Sequence, residues 1–423
     1  MYAPVLGGAE HHLKIISEAL VARGHEVTVF AANVTSAWDS CRNRCGELPH
    51  VETINGVKVV RFDPAGGILR KALDRRLWLK GGRRSLKRLF SPEGLDMLLH
   101  GPRMFTVIPE ILRFDGDIIA SINWFWPPAY YTHLARRLKR FTLVGIPLFH
   151  TTQPWCERAI YRKMLSDCTA IIVNTSHEGQ FAQERGAGRV EVAGVGVDPK
   201  AFESRDGKKI RERYGLGDYP VVGYVGREDP EKGLYEVIRS MRTVWTWNKE
   251  VRLVLAGPRF PSNSNVEATM AGFSDYQKDR IVHIGAFDEA DKATIFDAFD
   301  VFALPSRAES FGIAYLEAWL CRKPVIGARI AATECVVEDG VDGLLVDSND
   351  PEDIARAIIQ LLSDNGLRQR MGRNGHTKTL TQYTWDEVIH RLERLYLDLA
   401  FLRTTNSFSL ARAKPKQAFP PVT

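Results

Sequence analysis

The chain has 423 residues, of which 44% are hydrophobic and 26% charged, ordinary globular composition with enough apolar material for two cores. Its 57 basic and 51 acidic residues leave a net charge of +6, too small an excess to argue for nucleic acid, and no apolar run is long enough to cross a membrane as a helix. Six cysteines are sparse in a chain this long; only Cys41 and Cys45 are close together, and no second pair completes a zinc pattern, so free thiols and no metal are expected.

The first element is a loop, not a strand. Gly7 and Gly8 lead into a helix whose apolar face is Leu13, Ile16 and Leu20, with Gly24 placed to cap its C-terminus. Strands are expected at 27–31, 57–62, 118–122, 143–149 and 170–174. A doubly wound domain opens with an apolar strand ahead of its glycine loop. That strand is missing here. Because it is usually central, its loss separates its neighbours; the expectation is that the start of the domain lies upstream, the alternative being a truncated product.

Two N-terminal stretches bear on a partner. Between residues 68 and 90 nine lysines and arginines face Asp74 alone, and Leu69, Leu73 and Leu77 form a short apolar stripe. Such a segment suits either an anionic membrane surface or a solvated helix surface. The run Asn123-Trp124-Phe125-Trp126-Pro127-Pro128-Ala129-Tyr130-Tyr131 follows a strand, so its rings either meet a sugar or lipid or pack a loop onto the core.

After a polar, glycine-bearing stretch at 198–219 the rhythm becomes regular. Strands are expected at 221–225, 253–256, 281–284, 301–304, 324–328 and 344–346, with helices between them, the first carrying Leu234, Val237, Ile238, Met241 and Val244 on one face. This alternation predicts a parallel sheet covered on both sides. The residues after 402 lack periodicity and contain Lys414-Pro415-Lys416 and Pro420-Pro421, so 403–423 read as a disordered tail.

Two loops of this half carry chemistry. The first runs from Gly226 to Gly233 and offers Arg227, whose planar fork can chelate a phosphate, and Lys232, a point charge. The second, Ser306 to Glu317, follows the strand at 301–304. It places Glu309 at the C-terminal edge of the sheet, where open α/β sheets bind ligands, and free backbone N–H groups at Phe311, Gly312 and Ile313. Glu317, two turns on, can accept from a ribose diol. The bland alternatives are a solvated loop around Arg227 and an amphipathic helix with Glu309 as a capping acid.

Taken in order, these segments resemble glycosyltransferase family 4. The Glu309-x7-Glu317 spacing, the Arg227-x4-Lys232 loop and Val301-Phe302-Ala303-Leu304-Pro305-Ser306 match its donor domain, while Gly7-Gly8-Ala9-Glu10 and Arg23-Gly24-His25-Glu26-Val27 match its acceptor domain. Gly194-Val195-Gly196-Val197-Asp198 is similar to the interdomain element, with Gly-Val where the family often has Asn-Gly.

The resemblance implies a GT-B fold: an acceptor-binding Rossmann-like domain at 1–197, a nucleotide-sugar-binding one at 198–384, and a helix at 385–402 returning toward the first. It implies a retaining hexosyltransferase using a UDP-, GDP- or ADP-sugar and a glycan, lipid-linked or small-molecule acceptor, without metal or cofactor. By position, Arg227 and Lys232 meet the diphosphate, Glu309 and the 311–313 backbone the sugar, and Glu317 the ribose. The Gly7-Gly8 loop approaches the phosphates from the other domain, and His150 matches a histidine facing the donor sugar. No basic-then-apolar leader opens the sequence, so a cytoplasmic protein, peripheral on the inner membrane face through 68–90, is expected. A non-catalytic sugar-nucleotide binder and a nucleotide-sugar 2-epimerase are the alternatives.

Overall fold

The computed structural model describes residues 2, 8–36, 45–64, 93–94, 97, 102–259 and 266–412, the stretch 404–412 by its backbone alone. Gly7 and the basic segment 68–90 therefore lie outside the described residues, as does 413–423.

The N-terminal half runs α1 (Gly8–Ala22), β1 (Thr28–Ala32), β2 (Val51–Ile54), β3 (Val57–Phe62), α2 (Val107–Arg113), β4 (Ile118–Ile122), α3 (Pro127–Leu138), β5 (Thr142–Ile146), α4 (Ala159–Asp167), β6 (Ala170–Val173), α5 (Ser176–Glu184) and β7 (Val190–Val192). Its strands form two sheets, ordered β1-β3-β2 and β4-β5-β6-β7. All pairings are parallel except the β2–β3 hairpin. That hairpin turns on Asn55 and Gly56, both at positive φ (48° and 82°), as a two-residue turn requires. β5 stops at Ile146, short of the expected 149, because Pro147 follows and Leu148 takes φ 54°. Among the described residues no strand joins β1 to β4, and a cavity of about 730 Å³ lies between them.

The C-terminal half continues with α6 (Gly207–Arg213), β8 (Val221–Val225), α7 (Leu234–Trp247), β9 (Arg252–Ala256), α8 (Val266–Met270), α9 (Asp275–Lys278), β10 (Ile281–Gly285), α10 (Lys292–Asp297), β11 (Val301–Leu304), α11 (Ile313–Leu320), β12 (Val325–Ala328), α12 (Ala331–Glu334), β13 (Gly343–Val346), α13 (Pro351–Ser363), α14 (Asn365–Gln382) and α15 (Trp385–Arg412). One all-parallel sheet results, ordered β10-β9-β8-β11-β12-β13. β8, β11 and β12 are buried at every position, which is why they read as unbroken apolar runs. Gly223 is needed where Phe299 crosses the sheet: a Cβ there would lie 2.1 Å from the ring. The chain steps outward from β8 to β10, then returns to β11 on the other side of β8. The β8–β11 boundary is therefore the topological switch point, where such sheets open a crevice.

After α14 the chain passes back beside the link between the halves. The Val197 N–H donates to the Tyr383 carbonyl at 2.8 Å and the Trp385 N–H to the Val197 carbonyl at 3.2 Å. Gly196 allows this approach, since a Cβ there would meet the Trp385 ring at 2.5 Å. α15 then packs on the N-terminal half, its Val388, Ile389, Leu392 and Leu395 against Ile16, Leu20, Val144 and Ile146. It extends to Arg412, so 403–412, expected as tail, is helical; no glycine or proline interrupts the chain before Pro415. Among the described residues no helix is long and apolar enough to cross a membrane.

Candidate active site at the sheet switch point

β8 and β11 are neighbours, so the loops that leave their C-terminal ends lie side by side. The first loop turns into α7 through Gly233 at φ 74°, where a Cβ would come within 2.2 Å of the Pro305 carbonyl oxygen. Backbone contact locks the loops together: the Arg307 N–H donates to the Glu231 carbonyl at 2.7 Å, and the buried Ser306 hydroxyl donates to the same oxygen at 3.1 Å.

This arrangement brings Lys232 and Glu309 into contact, with Lys232 Nζ donating to Glu309 Oε1 at 2.6 Å in a half-buried setting. Arg227 projects outward, 60% exposed, with Asp229 at 3.5 Å. Phe311 is buried and meets the Tyr383 ring edge-on at 5.4 Å. Gly312, at φ 88°, caps α11, and Ile313 starts the helix and is exposed. Glu317 lies one helix face on, where Lys292 of α10 donates to its Oε1 at 2.9 Å. Burial raises the Glu317 pKa, with Lys292 opposing the shift.

The opposite wall comes from the N-terminal half. His150, just past β5, lies within the electrostatic reach of Glu309, Lys232 and Glu231. Desolvation lowers its pKa below the usual histidine value, against the pull of Glu309. Gly8 begins α1 with open space around its Cα. A small second recess of about 190 Å³ borders the link, between Thr175 and Gly194 on one side and Phe311 and Tyr383 on the other. Ser176 Oγ and Cys335 Sγ touch across it at 3.2 Å.

Sequence reasoning missed several supporting pairs. Arg307 reaches Glu236 at 2.7 Å, and the buried Glu228 takes Arg259 at 3.1 Å, with His283 at 3.9 Å. The aromatic run divides: Trp124, Tyr130 and Tyr131 are buried in the core, while Phe125 is half exposed and stands against Trp126 and Trp155. Among the described residues no group of three or more His, Cys, Asp or Glu converges as a metal site would require.

The model for Glycosyltransferase Family 4 matches residues 6–201, and that for Glycosyl transferases group 1 matches 206–378, so the two together span both halves. The chain belongs to the family 4 glycosyltransferases. The D-inositol 3-phosphate glycosyltransferase of Stackebrandtia nassauensis is 28% identical to this transferase over 316 residues, 70% of this chain and 69% of that one. Its namesake from Xylanimonas cellulosilytica is 26% identical over 406 residues, 92% and 91% of the two chains. Among solved structures, sucrose-phosphate synthase from Thermosynechococcus elongatus shares the fold with a TM-score of 0.71 at 21% identity, over 93% of this chain and 94% of that one. Anabaena HepE, solved with UDP and glucose, gives 0.67 at 18% identity over 93% and 96%. The transferase therefore has the GT-B fold, two Rossmann-like domains facing each other.

Proposed function

We propose that this transferase moves a hexose, with retention and without a metal, from a nucleoside-diphosphate sugar held at the β8–β11 switch point. The observation that carries the reading is the Lys232–Glu309 contact of 2.6 Å, assembled from two loops at the ligand-binding edge of the sheet and faced by His150 from the other domain.

In this reading Arg227 and Lys232 take the charge that builds on the leaving diphosphate. Glu309 fixes Lys232 and accepts from the hydroxyls of the transferred sugar, and the N–H groups of 311–313 add donors. Glu317 accepts from the ribose. His150 hydrogen-bonds to the sugar, and Gly8, at the start of α1, approaches the phosphates from the other domain. As the glycosidic C–O bond breaks, positive charge spreads over the anomeric carbon and ring oxygen. The acceptor hydroxyl attacks from the face the phosphate leaves and passes its proton to the departing phosphate oxygen. HepE, solved with UDP and glucose, supports a UDP-hexose donor, and the relatives named for D-inositol 3-phosphate support a small polyol phosphate as acceptor.

A panel of UDP-, GDP- and ADP-hexoses, each with and without D-inositol 3-phosphate, tests this by nucleoside diphosphate release. The expected result is turnover of one donor that Glu309→Ala abolishes, with NMR showing the donor's anomeric configuration in the product. An inverted product would sink retention. Donor binding with no release under any condition would favour a non-catalytic binder.

A further inference from the structure

Leu138 and Phe401 are the two most exposed large apolar side chains among the described residues, at 74% and 66%. They stand at one end of the N-terminal half. Leu138 is the last residue of α3, and Lys139 beside it donates through Nζ to the Leu112 and Phe114 carbonyls at 3.0 and 3.3 Å. Phe401 lies on α15, and Arg403, two residues on, donates to the Gly116 and Asp117 carbonyls at 2.7 and 3.1 Å. The two helix ends therefore hold successive parts of one connection, residues 112–117. Apolar residues scattered singly over a surface need no explanation, but two helix ends that each put one forward at a shared connection form a patch.

The pattern of α15 changes where it reaches that connection. As far as Arg394 its exposed positions are Asp386, Glu387, His390 and Arg394; beyond it they are Leu397, Asp398, Phe401 and Leu402. Leu392, Leu395 and Leu399 stay buried against the protein throughout, so only this end of the helix is apolar on its outer side as well. The charge changes too. Asp398, held by Arg189 at 3.1 Å, is the last acid of the sequence, and Arg403, Arg412, Lys414 and Lys416 follow it. Around Leu138 the exposed residues are Arg137, Lys139 and Arg140. The connection carries two acids, Asp115 and Asp117, of which Asp117 lies 3.9 Å from Arg403. A helix C-terminus attracts cations, which accounts for Arg137 and Lys139 but not for a leucine set out between them.

We propose that this end of the N-terminal half docks on an anionic lipid surface, with Leu138 and Phe401 entering the headgroup region and Arg137, Arg140 and the cations after Asp398 meeting the lipid phosphates. Apolar side chains set among cations suit such a surface: the apolar groups leave water while the cations reach headgroup charge. A second copy of the chain fits less well, because the matching face would set these cations against their own kind. The patch is separate from residues 68–90, which lie outside the described residues. It is also separate from the donor site. It borders the start of β4, whereas His150 follows the end of β5, the parallel strand beside it. Docking therefore leaves the opposite end of that sheet, with His150, clear of the lipid.

Co-sedimentation of the full chain with vesicles of phosphatidylcholine alone, or of phosphatidylcholine and phosphatidylglycerol in equal parts, tests this. The expected result is binding to the anionic vesicles tighter by about tenfold or more, and weakened by added salt. Leu138→Glu with Phe401→Glu should lose about tenfold or more of that binding, and so should Arg137→Ser with Arg140→Ser, while both chains keep the parent's melting temperature. Equal binding to the two vesicle types, binding to neither, or a chain with either pair of substitutions that binds as the parent does would overturn the proposal. So would a concentration-dependent dimer of the parent that Leu138→Glu with Phe401→Glu dissolves, since the patch would then serve a second copy. Should a substituted chain melt early, hydrogen exchange of the parent decides. Anionic vesicles that slow exchange at both 137–140 and 397–403 support the docking, and protection at one of them alone, or only elsewhere, overturns it.

Discussion

In the C-terminal half β8 has neighbours on both flanks, whereas in the N-terminal half β1 and β4 have one each among the described residues. The consequences differ accordingly. Around β8 the chain builds one sheet, one continuous core and a switch point whose two loops are pinned to each other by backbone hydrogen bonds. Around β1 and β4 it builds two sheets and three smaller apolar clusters, one of which depends on α15 arriving from the far end of the chain. The comparison teaches that bringing Lys232 and Glu309 together needs only the intact sheet. The opposite wall, with His150 and Gly8, hangs on a half that is held together less directly.

The sharpest break of the comparison is in the intact half. Lys232→Ala removes the cation proposed to face the leaving group and leaves Glu309 without its partner. Turnover is expected to fall about 10²–10³-fold, read as kcat in the diphosphate-release assay. Circular dichroism melting should change little, because neither side chain is part of the core.

Next comes a contrast between two buried carboxylates. Glu236 in the C-terminal half is paired with Arg307 at 2.7 Å and Arg239 at 2.9 Å. Glu178 in the N-terminal half accepts from the Asn174 N–H at 2.9 Å but has no ion pair among the described residues, and burial pushes its pKa up from 4.5 to about 8. The folded state thus holds a proton that the unfolded state has released, so stability falls as pH rises from about 4.5 to about 8. The slope from this group is about 1.4 kcal/mol per pH unit at most. Glu178→Gln should flatten it, melting close to the parent in acid and several degrees higher near the top of that window. Parallel melting curves across the window would refute the assignment.

Two glycines extend the contrast to the backbone. Gly233→Ala places a methyl against the Pro305 carbonyl at a positive φ, and is expected to destabilise the protein by about 1–3 kcal/mol while loosening donor binding. Gly8→Ala meets open space, and thermal melting should move by less than about 0.5 kcal/mol.

Legibility followed the same divide. The C-terminal strands were readable nearly to the residue because parallel strands buried as β8, β11 and β12 are read as plain apolar runs. β2 escaped: its Val51, Glu52, Thr53 and Ile54 alternate on an exposed edge, although Asn55-Gly56 marked the turn. β7, three residues long, gave no pattern. Lys232 and Glu309 could be placed at the C-terminal edge of the sheet because each lies in a loop that follows a strand, and Glu317 because it sits about two turns past Glu309 in α11. Their supports could not: Lys292 sits 25 residues from Glu317, and Arg259 sits 31 from Glu228, and local spacing carries no sign of such pairings. The aromatic run left two readings open, and Trp124, Tyr130 and Tyr131 take the core-packing one while Phe125 stays half exposed.

The last contrast probes the edge of the proposed donor site. Glu317 is held by Lys292 and has its pKa raised by burial. A carboxylate accepts two hydrogen bonds from a ribose diol, whereas glutamine accepts through one oxygen and presents an amine to the other hydroxyl. Losing one charge-assisted bond at the ribose costs about 1.5 kcal/mol, the lower end for a bond to a charged group, and weakens ground state and transition state alike. Glu317→Gln should therefore raise the donor KM by about tenfold or less with kcat nearly unchanged, whereas Lys232→Ala acts on kcat. A large kcat loss in Glu317→Gln would mean that α11 is positioned through the Lys292 pair, and that the ribose contact is not the carboxylate's main work.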